Sequence, residues 1–380
     1  MNVSFDHFGV LQIEPTDRCN LRCKMCNPHA LAYETIHGIP KGLMELDRYR
    51  RIIDGLCDEE VRFDHIIFQW LGDPSLHPHL EEMVGYAASE LSGRVGYLRI
   101  DTNAVQLNAA RMERLVELYR RNPETPLLVV FTLDAVTPET YSVVKGADHL
   151  ERVRRNIRHF IRRRAEIEGD DVRLNLQLQF VLQRENAHEV RQFVDYWRAT
   201  LRCLGGGKGY NEIMVKRLSV GAGGEGQREA DELYEREVKA QEVVAGPGDD
   251  GAAHVVLWES RPWESTDDEA PGGRQACPGL WMTPVIRHDG HLMMCCVDLQ
   301  GELDLGQLGD GSSFLDLWQG ELAERVRMAH IEGRFGDHPP CGDCGGINWY
   351  GTPLEFVEEW LGRRGRGALY EPYRARVQGS

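Results

Sequence analysis

Cys19-Asn20-Leu21-Arg22-Cys23-Lys24-Met25-Cys26 decides how this 380-residue chain is read. It is a CxxxCxxC run directly after an apolar, strand-like segment, Val10-Leu11-Gln12-Ile13. Three thiolates this close in sequence can converge on one face of a metal cluster. A [4Fe–4S] cluster normally takes four cysteines, and no fourth lies nearby. The trio therefore suggests an iron left open for a ligand that the protein does not supply. A zinc knuckle is the competing reading, but zinc sites favour paired CxxC units.

Downstream of the cysteines, apolar strand-like runs alternate with helical patterns. Strands are expected at 8–14, 65–70, 97–101, 126–133, 173–182 and 212–218. Helices are expected at 46–58, 78–91, 108–121, 148–168 and 186–202. Strands alternating with helices of this length mean βαβ units and a parallel sheet. Six strands are fewer than a closed eight-stranded barrel needs. The expected fold class is α/β, a partial (β/α)6 TIM-like barrel, with its reactive groups at the C-terminal strand ends. Beyond residue 220 the text changes. Gly221–Gly226 reads as a flexible link, 228–243 as an acidic helix and 262–274 as loop. Trp258 and Trp263 flank that loop and either cover a substrate or anchor it by packing.

The remaining cysteines fall late. Cys277 precedes a hairpin expected over Thr283–Met294, turned at Asp289-Gly290 and ending at Cys295 and Cys296. A helix over 313–331 then leads to Cys341-Gly342-Asp343-Cys344. Four thiolates from two separated pairs suit tetrahedral zinc and a fully ligated cluster equally well. Cys57 and Cys203 fall on helices, where a buried structural cysteine is the default. The organisation expected is a barrel over 1–220, a linker or insertion over 221–274, a cysteine domain over 275–350, and a helix with a tail over 351–380.

Composition narrows the partners. Sixty acidic against 44 basic residues give a net charge of −16. Nucleic acid is a poor partner for such a chain, because phosphate binding needs clustered Lys and Arg. A cationic substrate is compatible. No apolar run approaches a membrane span. No basic n-region followed by an apolar core opens the chain. Clustered cysteines without an export signal read as metal or redox ligands, so a cytoplasmic protein is expected.

The CxxxCxxC after a first strand resembles the signature of radical S-adenosylmethionine (SAM) enzymes, with Met25 where an aromatic residue is usual. The resemblance implies that Cys19, Cys23 and Cys26 hold a [4Fe–4S] cluster whose open iron chelates SAM. It extends to the strand ends. Gly72-Asp73-Pro74 stands where the family carries Gly-Gly-Glu-Pro, near the SAM amino group. Thr102 and Asn103 resemble its Thr-Asn-Gly element, and Thr132 with Asp134 its Ser-Ile-Asp element. Lys145-Gly146 stands at its Arg-Gly. Gln179 and Met214 fall where polar and adenine-packing contacts are expected. The late cysteines resemble a twitch domain, the one-cluster relative of the SPASM domain. Its pattern implies Cys277, Cys295, Cys341 and Cys344 as ligands of a second, auxiliary [4Fe–4S] cluster.

What the resemblance implies for chemistry is specific. An external donor such as flavodoxin or ferredoxin reduces the first cluster, SAM is cleaved, and a 5′-deoxyadenosyl radical takes a substrate hydrogen. A fully ligated auxiliary cluster fits an electron acceptor, hence a net oxidation. This architecture is similar to dehydrogenases and epimerases of aminocyclitols and amino sugars in aminoglycoside biosynthesis. The expectation is a dehydrogenase turning a secondary alcohol of such a small cationic substrate into a ketone. An epimerase of the same substrates and a peptide-modifying enzyme are the alternatives, and a non-enzymatic iron–sulfur module ranks last. Oxidation needs a base within hydrogen-bond reach of the hydroxyl. Glu14, Lys216 and Arg217 are the candidates; strand alternation sends only one of the latter two into the barrel. If Cys295 faces a cluster, the same alternation turns Cys296 to the opposite face.

Overall fold

Val, Ile, Leu and Phe recur at every second position of six segments, and each segment folds as a parallel strand. These are β1 (His7–Ile13), β4 (Arg62–Phe68), β5 (Val95–Thr102), β6 (Leu127–Thr132), β7 (Leu174–Leu182) and β8 (Asn211–Arg217), adjacent in that order. Between the first two, β2 (Thr35–Ile36) and β3 (Ile39–Pro40) pair only with each other, antiparallel. The computed structural model describes residues 6–26, 35–36, 39–205, 208–219, 225–247, 252–257, 274–342, 344 and 352–379. Trp258 and Trp263 lie outside the described residues.

One set of alternate side chains is sealed under helices. Ile66, Phe68, Ile100, Phe131, Leu178, Ile213 and Val215 are fully buried in a single core. Phe131 meets Phe160 edge-on at 5.6 Å; truncating it to Ala would cost about 3–5 kcal/mol. The covering helices are α1 (Leu46–Asp58), α2 (Leu80–Glu90), α3 (Ala109–Arg121), α5 (Leu150–Ala165), α6 (Val190–Cys203) and α7 (Glu225–Ala240). The other set faces the barrel interior and mixes polar side chains, Gln12, His65, Arg99, Gln177, Gln179, Glu212 and Lys216, with apolar ones, Ile67, Leu128, Val130 and Met214.

The sheet is larger than six strands. Among the described residues it has 11, and β9 (Gly246–Pro247) and β13 (Asp304–Gln307) end it without pairing to each other, so the barrel is open. The expected linker contributes β10 (His254–Leu257), parallel to β8. The expected hairpin, β11 (Val285–Ile286) and β12 (His291–Met293), joins the other edge, with β11 parallel to β1. Barrel and cysteine region thus share one sheet.

Several helices differ from the sequence reading. The helix expected over 313–331 is split into α9 (Phe314–Trp318) and α10 (Glu321–Ile331) by Gly320, whose ψ of 176° is extended. A short helix, α4 (Pro138–Lys145), was not expected. Thr137 caps it, Pro138 opens it, and Gly146 ends it at φ 75°; eight residues are too few to show a strong period. One turn of helix, α11 (Pro339–Gly342), carries Cys341. The C-terminal segment folds as α12 (Leu354–Arg363) and α13 (Tyr370–Gln378). It docks through Val357, Trp360, Leu361 and Tyr373.

Candidate functional site

The cysteine loop leaves the C-terminal end of β1 and is braced by two other strand ends and one helix end. The first is at Gly72. A Cβ there would lie 2.2 Å from the Thr16 carbonyl oxygen and 2.5 Å from that of Arg18. Only glycine lets the two backbones approach so closely, and the Asp73 N–H then donates to the Arg18 carbonyl at 2.8 Å. The second is Asn103, whose Nδ2 donates to Asn20 Oδ1 at 2.8 Å. The third is the end of α4. The N–H groups of Arg22 and Lys24 donate to the carbonyls of Lys145 and Val144 at 3.1 and 2.9 Å. Gly146 is tight there too, its hypothetical Cβ 2.7 Å from the Arg22 carbonyl oxygen. The three motifs expected to contact SAM therefore also hold the loop.

Asp73 is buried, and its carboxylate is surrounded by donors. Oδ1 accepts from Ser75 N at 2.9 Å and Ser75 Oγ at 2.5 Å; Oδ2 accepts from Asn103 N at 2.7 Å. Thr102 Oγ1 lies 3.0 and 3.2 Å from the two oxygens. Burial pushes its carboxyl up, against the pull of those hydrogen bonds. Pro74 opens the 3-10 turn that Asp73 caps. Lys145 and Asp134 form a buried ion pair. Burial works against the Lys145 ammonium, but Asp134 and Cys23 together raise its pKa. Thr132, Gln179 and Met214 stand in register across β6, β7 and β8, all on the interior face.

The three thiols are partly buried and none is in a disulfide. Burial, then Asp73, pushes Cys19 up to about 12. Burial raises Cys23, while Lys145 opposes. Among the described residues no three His, Cys, Asp or Glu side chains converge as ligands of a single metal ion. A [4Fe–4S] cluster takes its thiolates on separate irons. Metal binding requires the thiolate form, and cationic irons would offset the burial that raises Cys19 and Cys23.

Of the three base candidates, the strand alternation separates two. Arg217 faces the helix layer and pairs with Asp231 of α7 at 2.9 Å. Lys216 shares the interior face with Met214. Glu14 is buried at the end of β1. Its Oε1 accepts from Leu71 N at 3.1 Å, and Oε2 lies 3.2 Å from His288 Nδ1 and 3.3 Å from His288 N. Glu14 thus ties the loop after β4 to the turn after β11. Nothing in the text pointed to His288; it meets Glu14 only because β11 pairs with β1. The sequence reading also missed Asn20 and Gln183, whose amide contacts Met25 Sδ at 3.8 Å.

The late cysteines form a second group. Burial, then Cys295, raises Cys277. Burial, then Cys295 and Cys344, pushes Cys341 up to about 12. All four expected ligands are therefore electrostatic neighbours, a donor set that fits a fully ligated cluster. The Asp298 carboxylate shapes the following loop by accepting from the N–H groups of Gly301 and Leu303 at 2.9 and 2.7 Å. The Cys295 thiol packs against the main core, and the Cys295 and Cys296 thiols perturb one another, raising Cys295 and lowering Cys296. Cys296 also packs with Trp70, Leu71 and Met293, and Trp70 Nε1 donates to its carbonyl at 2.8 Å. Cys57 is half-buried, whereas Cys203 is exposed rather than buried.

Comparison with known proteins agrees with this geometry. The radical SAM superfamily pattern matches residues 13–196, and an iron–sulfur cluster-binding domain of the SPASM type matches 277–345. The tungsten-containing aldehyde ferredoxin oxidoreductase cofactor-modifying protein of Pyrococcus furiosus is 28% identical over 187 residues, 49% of this chain and 47% of that protein. A GTP 3′,8-cyclase of Syntrophomonas wolfei is 27% identical over 194 residues, 50% of this chain and 52% of that protein. The chain thus spans about half the length of these relatives. The structure of histidine-tagged anSMEcpe with bound AdoMet superposes with a TM-score of 0.58 at 14% identity, covering 97% of this chain and 98% of that one.

Proposed function

From the premise that this chain is a radical SAM enzyme with a SPASM-type iron–sulfur domain, we propose that it oxidises a secondary alcohol of a small polyhydroxylated, cationic substrate to a ketone. The observation that carries this reading is the mutual electrostatic proximity of Cys277, Cys295, Cys341 and Cys344, beside a hairpin whose strands continue the barrel sheet. Four protein ligands leave no open iron for substrate, so an electron sink is the role such a group fits. The interior face supports the substrate class. Gln12 and Gln179 offer amide groups to hydroxyls, and the hydrogen-bonded pair of Gln177 and Glu212 a carboxylate to an ammonium.

Cys19, Cys23 and Cys26 would hold the first cluster, with Gly72 to Pro74, Thr102, Asn103, Thr132, Asp134, Lys145, Gln179 and Met214 around SAM. Bound SAM and the clusters supply hydrogen-atom abstraction and an electron acceptor. The chain's own part is to place the substrate, keep water out and take the hydroxyl proton. We assign that proton to the neutral amine form of Lys216, the candidate on the interior face. Glu14 instead holds Leu71 and His288, and Arg217 is paired with Asp231. A reductant such as flavodoxin or ferredoxin completes the reading.

Cys296 favours a second reading, an epimerase. Its thiol sits between Cys295 and the Trp70–Leu71 lip, where it could return a hydrogen to carbon. Turnover of amino sugars and aminocyclitols in deuterated water separates the two. A ketone with about one deoxyadenosine per product, lost in Lys216→Met while deoxyadenosine still forms, supports the dehydrogenase. One deuterium at an inverted carbon, lost in Cys296→Ala, establishes the epimerase. Turnover of peptides alone would overturn both.

A further inference from the structure

A second cavity lies far from the cysteine loop. It is about 390 Å³ and is lined by Trp281, Trp318, Arg327, Phe356, Trp360 and Arg364, with His7 at its edge. His7 begins β1 and the cysteine loop follows its end, so the strand separates the two sites by roughly 20 Å at about 3.3 Å per residue. The volume and aromatic lining fall within the usual range of ligand pockets, about 300–1,000 Å³.

Arg327 stands at the centre. It projects from α10 and is 1% exposed. Its Nε donates to the Leu280 carbonyl and its Nη1 to the Trp318 carbonyl, both at 2.8 Å. The guanidinium carbon lies 5.2 Å from the Trp318 ring centroid and 5.7 Å from that of Trp281. Among the described residues no carboxylate pairs with it, and its Nη2 has no hydrogen-bond partner. Trp281 Nε1 is likewise buried without an acceptor. Burial, then Arg364, holds the Arg327 pKa down to about 9, with Glu324 opposing.

Two stranded donors, one of them cationic, border one cavity. A buried donor left unmade is costly, and a buried charge more so. The walls are flat rings: Trp281 meets Trp360 at 5.6 Å and 86°, and Arg364 covers Trp360 at 4.2 Å. We propose that this cavity is a second ligand site, for a planar aromatic carboxylate. One carboxylate oxygen accepts from Arg327 Nη2 and the other from Trp281 Nε1, while the ring packs against the aromatic lining. Trp281 follows Cys277 by four residues on α8 (Gly279–Met282), so an occupant would sit beside the auxiliary cysteines without touching substrate.

The test uses the full chain with its clusters, kept anaerobic and saturated with SAM. Calorimetry and tryptophan emission are followed on adding 2-naphthoate, 2-naphthalenemethanol or inorganic phosphate. The expected result is saturable one-to-one naphthoate binding. The neutral alcohol binds at least about tenfold more weakly, as loss of a charged hydrogen bond implies. Arg327→Met weakens naphthoate by at least about tenfold. Trp281→Phe keeps the wall, removes one donor and weakens it several-fold, which serves if Arg327→Met does not fold. Four results would each overturn the proposal: no saturable naphthoate binding, equal binding of the alcohol, binding of phosphate alone, or unchanged naphthoate affinity in the folded variants.

Discussion

Lys145 Nζ is paired with the Asp134 carboxylate beside the thiol of Cys23, with the two side chains 3% and 1% exposed. Asp134 adopts a φ of 61° and also accepts from Val181 N at 2.7 Å. The pair therefore joins the end of β6, the end of β7 and the helix that braces the cysteine loop. Lys145→Met leaves a buried carboxylate without its cation, which should cost about 3–5 kcal/mol. The double variant Lys145→Met with Asp134→Asn should recover much of that loss. Urea unfolding of the four-member cycle measures it; a single-variant loss below about 1 kcal/mol would mean the pair behaves as a surface one.

Gly72→Ala forces a methyl group into the backbone of Thr16 and Arg18. Backbone cannot rotate aside as a side chain can, so the cysteine loop must shift. We expect iron reconstitution to fall towards half, with the auxiliary set still loaded. Full iron content and unchanged SAM cleavage would contradict the close approach.

Iron content itself is a test of two independent cysteine groups. Reconstituted protein should hold about eight irons, four per cluster. The triple variant of Cys19, Cys23 and Cys26 to Ala should keep about half. Zinc in the late cysteines, or complete loss of iron, would refute the arrangement.

Asp73→Ala strands the N–H groups of Ser75 and Asn103 in the interior. Each unmade buried donor costs about 1–3 kcal/mol, so a drop of roughly 2–6 kcal/mol is expected, with weaker SAM cleavage. Asp73→Asn preserves the shape and should restore part of both. Equal loss in the two variants would assign Asp73 a charge role at SAM rather than a positioning one.

The Glu14–His288 pair should give stability a pH dependence. Burial lowers the His288 pKa, but Glu14, with Asp17 and Asp289 nearby, raises it further, and the net shift is upward. A histidine whose folded pKa lies above its unfolded value of about 6.5 stabilises the fold fully below that value. The contribution is lost as pH climbs through the raised folded pKa. The stability difference between wild type and His288→Gln should therefore shrink from pH 6 to pH 9. A difference that grows with pH would reverse the assignment.

Local spacing determined a good part of this protein. The CxxxCxxC, the CxxC and the alternation of strand and helix patterns depend on neighbours within a few residues. A single sequence displays those directly, and the family expectation followed from them. Short segments stayed hidden for the same reason: α4, β10 and the break at Gly320 carry too few residues to show a period. Contacts between distant segments were decided only by the tertiary structure. Lys145 and Asp134 were both named from the sequence but as separate SAM contacts, and their pairing needs α4 folded across the end of β6. Glu14 and His288 lie 274 residues apart and meet because β11 pairs with β1 in one register. Alternation established that only one of Lys216 and Arg217 could face inward, yet which one depended on the face of β8 that α7 covers. Strand period is a property of the backbone; the choice of face comes from what packs against it.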